Sequence, residues 1–291
     1  MDQNQTNINW YPGHMAKAKR EMQEKIKVVD MVIELRDARI PLSSINPVLA
    51  EVIGSKPRLI ILAKKDKADD AVTAEWVKYF SEKEGTTIAM DLLHDNVAKI
   101  ITEACMKVMQ DKIARLKARG MKHVEIKAMV VGIPNVGKST LINSVSRKKA
   151  AKTADHPGVT KSLQWIKVSP DVALLDTPGV LWPKFEDQKI AANLAICGSI
   201  SDNVLPISHL VTYALAFLKD NYPQLLVKRY EIEVSDDPHK MLNDIALNRH
   251  FLMDNGEVDL ERCEKVFLNE LRDGNIGKIS WEKVTESHEA D

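Results

Sequence analysis

Gly132-Ile-Pro-Asn-Val-Gly-Lys-Ser-Thr140 lies near the middle of a 291-residue chain, directly behind the apolar run 124–132 (VEIKAMVVG) and directly ahead of a helical pattern. It fits G-x-x-x-x-G-K-[ST], and the context of strand before and helix after gives that pattern its meaning. Glycines let successive backbone N–H groups curl around phosphate oxygens with no side chain in the way, and the helix that follows adds the positive end of its dipole. The candidate cradle is Pro134, Asn135, Val136, Gly137, Lys138, Ser139 and Thr140. Lys138 is the residue to reach the β- and γ-phosphates and Ser139 the one to ligate Mg²⁺.

Downstream, a helix over 138–146 and a polar loop over 147–161 lead to short strands at 163–168 and 172–175. The second strand delivers Asp176-Thr-Pro-Gly179. A carboxylate at a strand end holds Mg²⁺ directly or through water, and the N–H of Gly179 senses a γ-phosphate because no Cβ blocks the approach. Thr160, in Pro157-Gly-Val-Thr160-Lys161, is the candidate hydroxyl that closes on Mg²⁺ and the γ-phosphate only in the triphosphate state.

Nothing behind this loop reads a base; the candidate reader lies upstream. Apolar, β-branched runs at 28–35, 58–63 and 86–90 read as buried strands, with a helix after Asp69 and Asp70 and a long polar helix over 97–119. Strands alternating with helices at this pitch imply a mainly parallel sheet covered on both faces. Ala63-Lys-Lys-Asp66 leaves the strand RLIIL as N-K-x-D does in guanine-binding switches. There the aspartate accepts from the guanine N1–H and 2-amino group, donors that adenine lacks on that edge, and the stem of Lys64 lies along the base. A shifted frame, Asp66-Lys-Ala-Asp69, makes Asp69 the reader instead. Residues 91–93 are the candidate base cradle.

Hydrophobic content of 44% and charged content of 28% suit a globular chain rather than a disordered one. The longest apolar stretch, around 210–218, falls far short of the roughly 20 residues of a membrane span, and the first ten residues carry no basic start or apolar run. A cytosolic protein without a membrane is the expectation. Cys105, Cys197 and Cys263 fall in no paired spacing and read as reduced, structural thiols. The net charge of zero conceals an asymmetry: residues 231–291 hold 16 acidic and 7 basic residues, leaving the rest of the chain positive. Lys17, Lys19, Arg20, Lys25 and Lys27, with Arg147, Lys148 and Lys149, are candidate phosphate contacts to a polyanion. From about 206 the pattern turns helical, ending on Leu260, Cys263, Phe267 and Leu271 before Gly274 as a helix stop. The expected domains are 1–199, nucleotide-binding with a basic extension, and 200–291, helical.

The order AKKD, GIPNVGKST, PGVTK, DTPG resembles the circularly permuted GTPases, and WYPGHMAKAKRE with DTPGVLWPKFED resembles the ribosome biogenesis GTPase A (YlqF/RbgA) family. The resemblance covers residues 8–220 well and the tail more loosely. It implies a permuted P-loop GTPase fold with a small all-helical C-terminal domain. It also implies a GTP hydrolase, slow alone and stimulated by ribosomal particles, acting in late assembly of the large (50S) subunit on rRNA and ribosomal proteins. GTP or GDP and Mg²⁺ are then the ligands. K⁺ held by Asn135 would neutralise charge at the β,γ-bridge, and His14 would act on the attacking water or on rRNA. A monomer is expected. Two departures stand out: Ala63 replaces the asparagine of the base motif, and Val180 stands where Ras-type switches orient water with glutamine. A nucleotide-gated binding module with little hydrolysis, and a P-loop ATPase, are the alternative readings.

Overall fold

The structure is a computed structural model that describes residues 12–146, 165–177, 179, 187–201 and 205–285, with side chains described from residue 19 onward. A six-stranded sheet forms its centre, in the order β3-β2-β1-β4-β6-β5. The strands are β1 (Met31–Asp37), β2 (Arg58–Ala63), β3 (Thr87–Met90), β4 (Ile126–Gly132), β5 (Trp165–Ser169) and β6 (Val172–Leu175). All pairings are parallel except that of β5 with β6. The sheet is therefore mainly parallel, and the short connection between β5 and β6 is what an antiparallel edge pair needs.

Side-chain alternation sorts the buried residues onto two faces. Met31, Ile33 and Leu35 of β1, with Leu59, Ile61 and Ala63 of β2 and Ala128 and Val130 of β4, point to one face. That face is covered by α4 (Val97–Val108), α5 (Gln110–Ala118), α6 (Lys138–Val145) and helices of the tail. Val32, Met129 and Val131 point to the other, against Met22 of α1 (Pro12–Lys25) and Leu49, Val52 and Ile53 of α2 (Pro47–Ile53). Trp76 and Phe80 of α3 (Asp70–Lys83) complete that face over Ile60 and Leu62. Glu34 and Arg36 of β1 lie buried on the same face: Arg36 sits 4.5 Å over the Phe80 ring and donates to Glu34 and Glu84, so neither charge is left unpaired.

After β6, α7 (Gln188–Ile196) leads into a tail built of α8 (Ile207–Asn221), α9 (Pro223–Tyr230), α10 (Pro238–Asn248) and α11 (Leu260–Asp273). Its buried side chains, among them Leu215, Phe267 and Trp281, belong to one cluster with those of the sheet, so the helices pack onto the α/β layer rather than standing apart. None of the described helices is long and apolar enough to cross a membrane.

Two sequence expectations need correction. The strand placed at 28–35 begins only at Met31, because Ile26–Val28 turns as a 3-10 helix and leaves Val28 exposed. The helix placed over 97–119 is two helices, broken where Met109, at φ −100 and ψ 13, is buried between them. Helix α2 went unread; its signals were Asn46, which caps the N–H of Val48, and Pro47 in the first turn.

Candidate functional site

The three motif loops leave the carboxyl ends of parallel strands, where open α/β sheets bind ligands. Residues 63–66 follow β2, 132–140 follow β4 and 176–179 follow β6. Strand β1 lies between the first two, pairing Asp37 with Ala63 and Leu35 with Gly132. Two strand spacings, about 10 Å, therefore separate the strand ends from which the base loop and the phosphate loop depart.

The phosphate loop turns through positive φ at Gly132 (155°), Asn135 (55°) and Gly137 (115°). A Cβ on Gly132 would meet the Leu35 carbonyl oxygen at 2.7 Å, so glycine is required there. Val136 is buried and Lys138 opens α6. The Nζ of Lys138 donates to the carbonyls of Gly132 (3.0 Å) and Ile133 (2.6 Å). Burial lowers its pKa to about 8, with Asp176 pulling upward and Lys64 pushing down. Burial likewise raises the pKa of Asp176, opposed by Lys138 and by the Thr177 N–H. Ser139 is exposed and Thr140 half-buried.

Gly179 closes the phosphate end. A Cβ on it would stand 2.9 Å from Lys138 Nζ and 3.0 Å from the Cα of Pro134, so its backbone rests directly on the phosphate loop. Thr177 fixes that turn by donating its hydroxyl to the Val130 carbonyl at 2.6 Å.

The base loop meets the phosphate loop at Gly137, where an added Cβ would lie 3.8 Å from Ala63 Cβ and 2.9 Å from Leu92 Cδ1. Lys64 adopts a left-handed conformation (φ 60°) and its Nζ lies 2.9 Å from Asp37 Oδ2. Asp66 sits half-buried in the 3-10 turn Lys65–Lys67. In the shifted frame the reader is Asp69, whose carboxylate accepts from Ala71 N and Val72 N as the cap of α3. In the 91–93 turn, Asp91 accepts from the N–H groups of Leu93 and His94 and pairs with the His94 ring at 2.6 Å, so two backbone donors of that cradle are engaged internally.

Sequence reasoning passed over Asp37 and Arg39. Asp37 is fully buried, and Arg39 grips it through Nε (2.9 Å) and Nη2 (2.8 Å) while Nη2 also donates to the Cys197 carbonyl (3.1 Å). Arg39 and Lys64 together hold the Asp37 carboxyl well below the usual carboxylate range despite its burial. The signal was present: charges in ELRDARI interrupt a run otherwise read as apolar strand. The three thiols are buried, and burial pushes each up to about 12, which leaves them unreactive.

Several named candidates lie outside the description: Thr160, Val180, Arg147, Lys148 and Lys149, and the side chains of His14 and Lys17. Lys19 is paired with Glu51 at 2.6 Å, whereas Arg20 and Lys27 are exposed.

Comparison with known proteins decides what this geometry belongs to. The ribosome biogenesis GTPase A of Bacillus cereus is 46% identical over 280 residues, covering 96% of this chain and 95% of its own length. The chain belongs to the ribosome biogenesis GTPase A family. The same protein of Priestia megaterium is 45% identical over 284 residues, 97% of this chain and 99% of that one. The sequence model of a family described as 50S ribosome-binding GTPase matches residues 127–235. That stretch opens in β4 and leaves the Ala63–Asp66 loop upstream, as a circular permutation requires. A crystal structure of GNP-bound YlqF from T. maritima superposes with a TM-score of 0.63 at 26% identity, covering 92% of this chain and 98% of its own. This member of the family is thus a P-loop GTPase that binds GTP and GDP.

Proposed function

We propose that this GTPase times a step in late assembly of the large (50S) ribosomal subunit, contacting rRNA and ribosomal proteins of a subunit precursor. Family membership supplies the ribosomal setting, and the junction of the two loops at Gly137 carries the nucleotide reading. In that reading Asp66 accepts from the guanine edge, the stem of Lys64 lies along the base, and residues 134–140 surround the phosphates with Lys138 against them. Gly179 offers its N–H to the γ-phosphate from a position where an added Cβ would crowd Lys138 and Pro134.

The donor set suits Mg²⁺. Ser139 presents an exposed hydroxyl and Asp176 a carboxylate beside Lys138, and among the described residues no cluster of three or more His, Cys, Asp or Glu gathers to favour another metal. Magnesium commonly takes few protein oxygens and fills its octahedron with phosphate and water; bound here it would neutralise charge on the β- and γ-oxygens. Thr160 is assigned the third contact, made in the triphosphate state. Asn135 is assigned to K⁺ through its Oδ1, since its Nδ2 is engaged with the Gly198 carbonyl. His14 is assigned to the attacking water, a task that Val180 is too apolar to perform. The chain acts as a cytoplasmic monomer, with the nucleotide domain over 1–199 and the helical domain over 200–291, and Arg20 and Lys27 among its contacts to rRNA phosphates.

Turnover with and without large-subunit precursors tests this directly. Slow hydrolysis alone and strong stimulation by the particle are expected, with GTP outcompeting ATP. His14→Ala lowers stimulated turnover and leaves nucleotide affinity unchanged. Absence of stimulation would favour the second reading, a nucleotide-gated binding module in which Ala63 weakens loading.

A further inference from the structure

The loop that carries Asp66 is gripped from outside by the end of the chain. The last turn of α11 and the residues that follow it, 272–282, run across that loop. The Ile279 N–H donates to the Lys67 carbonyl at 3.0 Å, Lys67 Nζ donates to the Arg272 carbonyl at 2.9 Å, and the Asp69 N–H donates to Ser280 Oγ at 3.2 Å. Gly274, at φ 79°, leaves room for the Lys67 stem, whose Cγ would lie 3.2 Å from a Cβ there, and Lys278 pairs with Asp70 at 2.8 Å. Contacts thus fall on Lys67, Asp69 and Asp70, one to four residues beyond the base-reading carboxylate.

The strap is itself anchored. Ile279, Ser280, Trp281 and Glu282 are buried. The Trp281 N–H donates to the Arg39 carbonyl at 2.8 Å, and the Glu282 carboxylate accepts from the N–H groups of Leu42 and Ser43 and from Asn193 Nδ2. The Ser280 N–H and carbonyl both bond the Tyr222 hydroxyl at 3.3 Å. A rigid segment therefore bridges the Arg39–Ser43 loop, the helical tail and the base loop.

Ala63 gives this bridge its purpose. An asparagine there would brace the base loop from inside, against the phosphate loop; alanine has no hydrogen bond to offer. We infer that the C-terminal strap, through Ser280 and Ile279, positions Asp66 for guanine and takes over the bracing that Ala63 cannot supply. The inference rests on Asp66 as the base reader. Its consequence is reciprocal: whatever grips the tail changes guanine affinity, and guanine nucleotide tightens the tail.

The test compares GDP with inosine diphosphate, which lacks the 2-amino group that a well-placed Asp66 accepts from. In Ser280→Ala the preference for GDP over inosine diphosphate is expected to shrink by about threefold or more, and Ser280→Thr to restore it. A general loss of structure would weaken both nucleotides alike and leave the ratio unchanged, which would overturn the inference. In the wild-type chain, GDP is expected to slow hydrogen exchange in the 275–283 segment; protection of residues 63–70 with none in that segment would overturn it too. If the wild type itself fails to distinguish the two nucleotides, the assignment of Asp66 falls. If it distinguishes them and Ser280→Ala leaves the ratio intact, only the strap falls.

Discussion

Asn135 of the phosphate loop donates its side-chain amide to the carbonyl of Gly198, 2.9 Å away and 63 residues along the chain. Gly198 lies two residues beyond the end of α7, where the carbonyls of Ala195 and Cys197 accept from Arg272 and Arg39. The phosphate loop, the loop after β1 and α11 therefore converge on one helix end. Because Nδ2 is committed, Oδ1 is left as the free end of the amide, the end that a cation needs.

Asn135→Ala tests whether that oxygen serves K⁺. The ratio of GTP turnover in K⁺ to turnover in Na⁺ is expected to fall toward one. The lost hydrogen bond is exposed and costs no more than about 1 kcal/mol of stability, within reach of a urea titration. An unchanged ratio removes Asn135 from the cation site.

Ala63 and Leu92 both lie against Gly137, and their substitutions are expected to be coupled. Ala63→Asn alone introduces an amide into a fully buried site that Leu92 crowds. With Leu92→Ala the amide gains room to reach the phosphate loop, and GDP affinity rises more than the two single effects together, by about 0.5 kcal/mol or more. Fluorescence titration of the four proteins with labelled GDP measures it; additivity would show that the two side chains do not share the space.

Lys138 has a pKa lowered to about 8 by burial, and a phosphate placed against it raises that value again. Binding at pH 8 and above must then take up a proton. GDP affinity is expected to fall as pH rises through 8, while proton uptake seen by calorimetry in buffers of different ionisation enthalpy grows. Affinity flat from pH 7 to 9 would place the phosphates away from Lys138. In folding the sign is opposite: between about 8 and the unfolded value of about 10.4 the unfolded chain binds more protons, so this group makes stability rise with pH in that window.

Asp37→Ala leaves Arg39 buried without its carboxylate and Lys64 without its anchor. Breaking a buried pair from one side costs about 3–5 kcal/mol, so the urea midpoint is expected to drop sharply. In the parent protein the depressed pKa of Asp37 means that its contribution is complete above the unfolded value of about 3.9 and is lost only as pH falls below it. A variant within 1 kcal/mol of the parent would show that water substitutes for the carboxylate.

The phosphate loop was legible because its requirements are local. Gly132 and Gly137 sit at positive φ, Lys138 begins a helix, and the apolar run before them is a strand, all within a dozen residues. Asp176 and Gly179 were legible for the same reason. The frame of the base loop was not, since Asp66 and Asp69 both fit the pattern; only the structure shows that Asp69 is engaged in capping α3, accepting from the N–H groups of Ala71 and Val72.

The amino-acid sequence by itself determined the fold class and the order of the motif loops, because strand and helix periodicity and short glycine-bearing motifs encode backbone preferences that no distant residue needs to supply; the family was legible through the resemblance of those motifs and of the stretches WYPGHMAKAKRE and DTPGVLWPKFED. Tertiary structure alone decided that Asp37 ties Lys64 to Arg39, that Asn135 reaches Gly198, and that residues 272–282 clasp the base loop. Apart from the local Asp37–Arg39 pair, those contacts join residues from 27 to more than 200 positions apart, and each side chain involved is also compatible with an ordinary exposed loop. Packing of the helical tail onto the sheet brings these partners together, and where it removes them from water, as at Asp37 and Arg39, their pairing becomes obligatory.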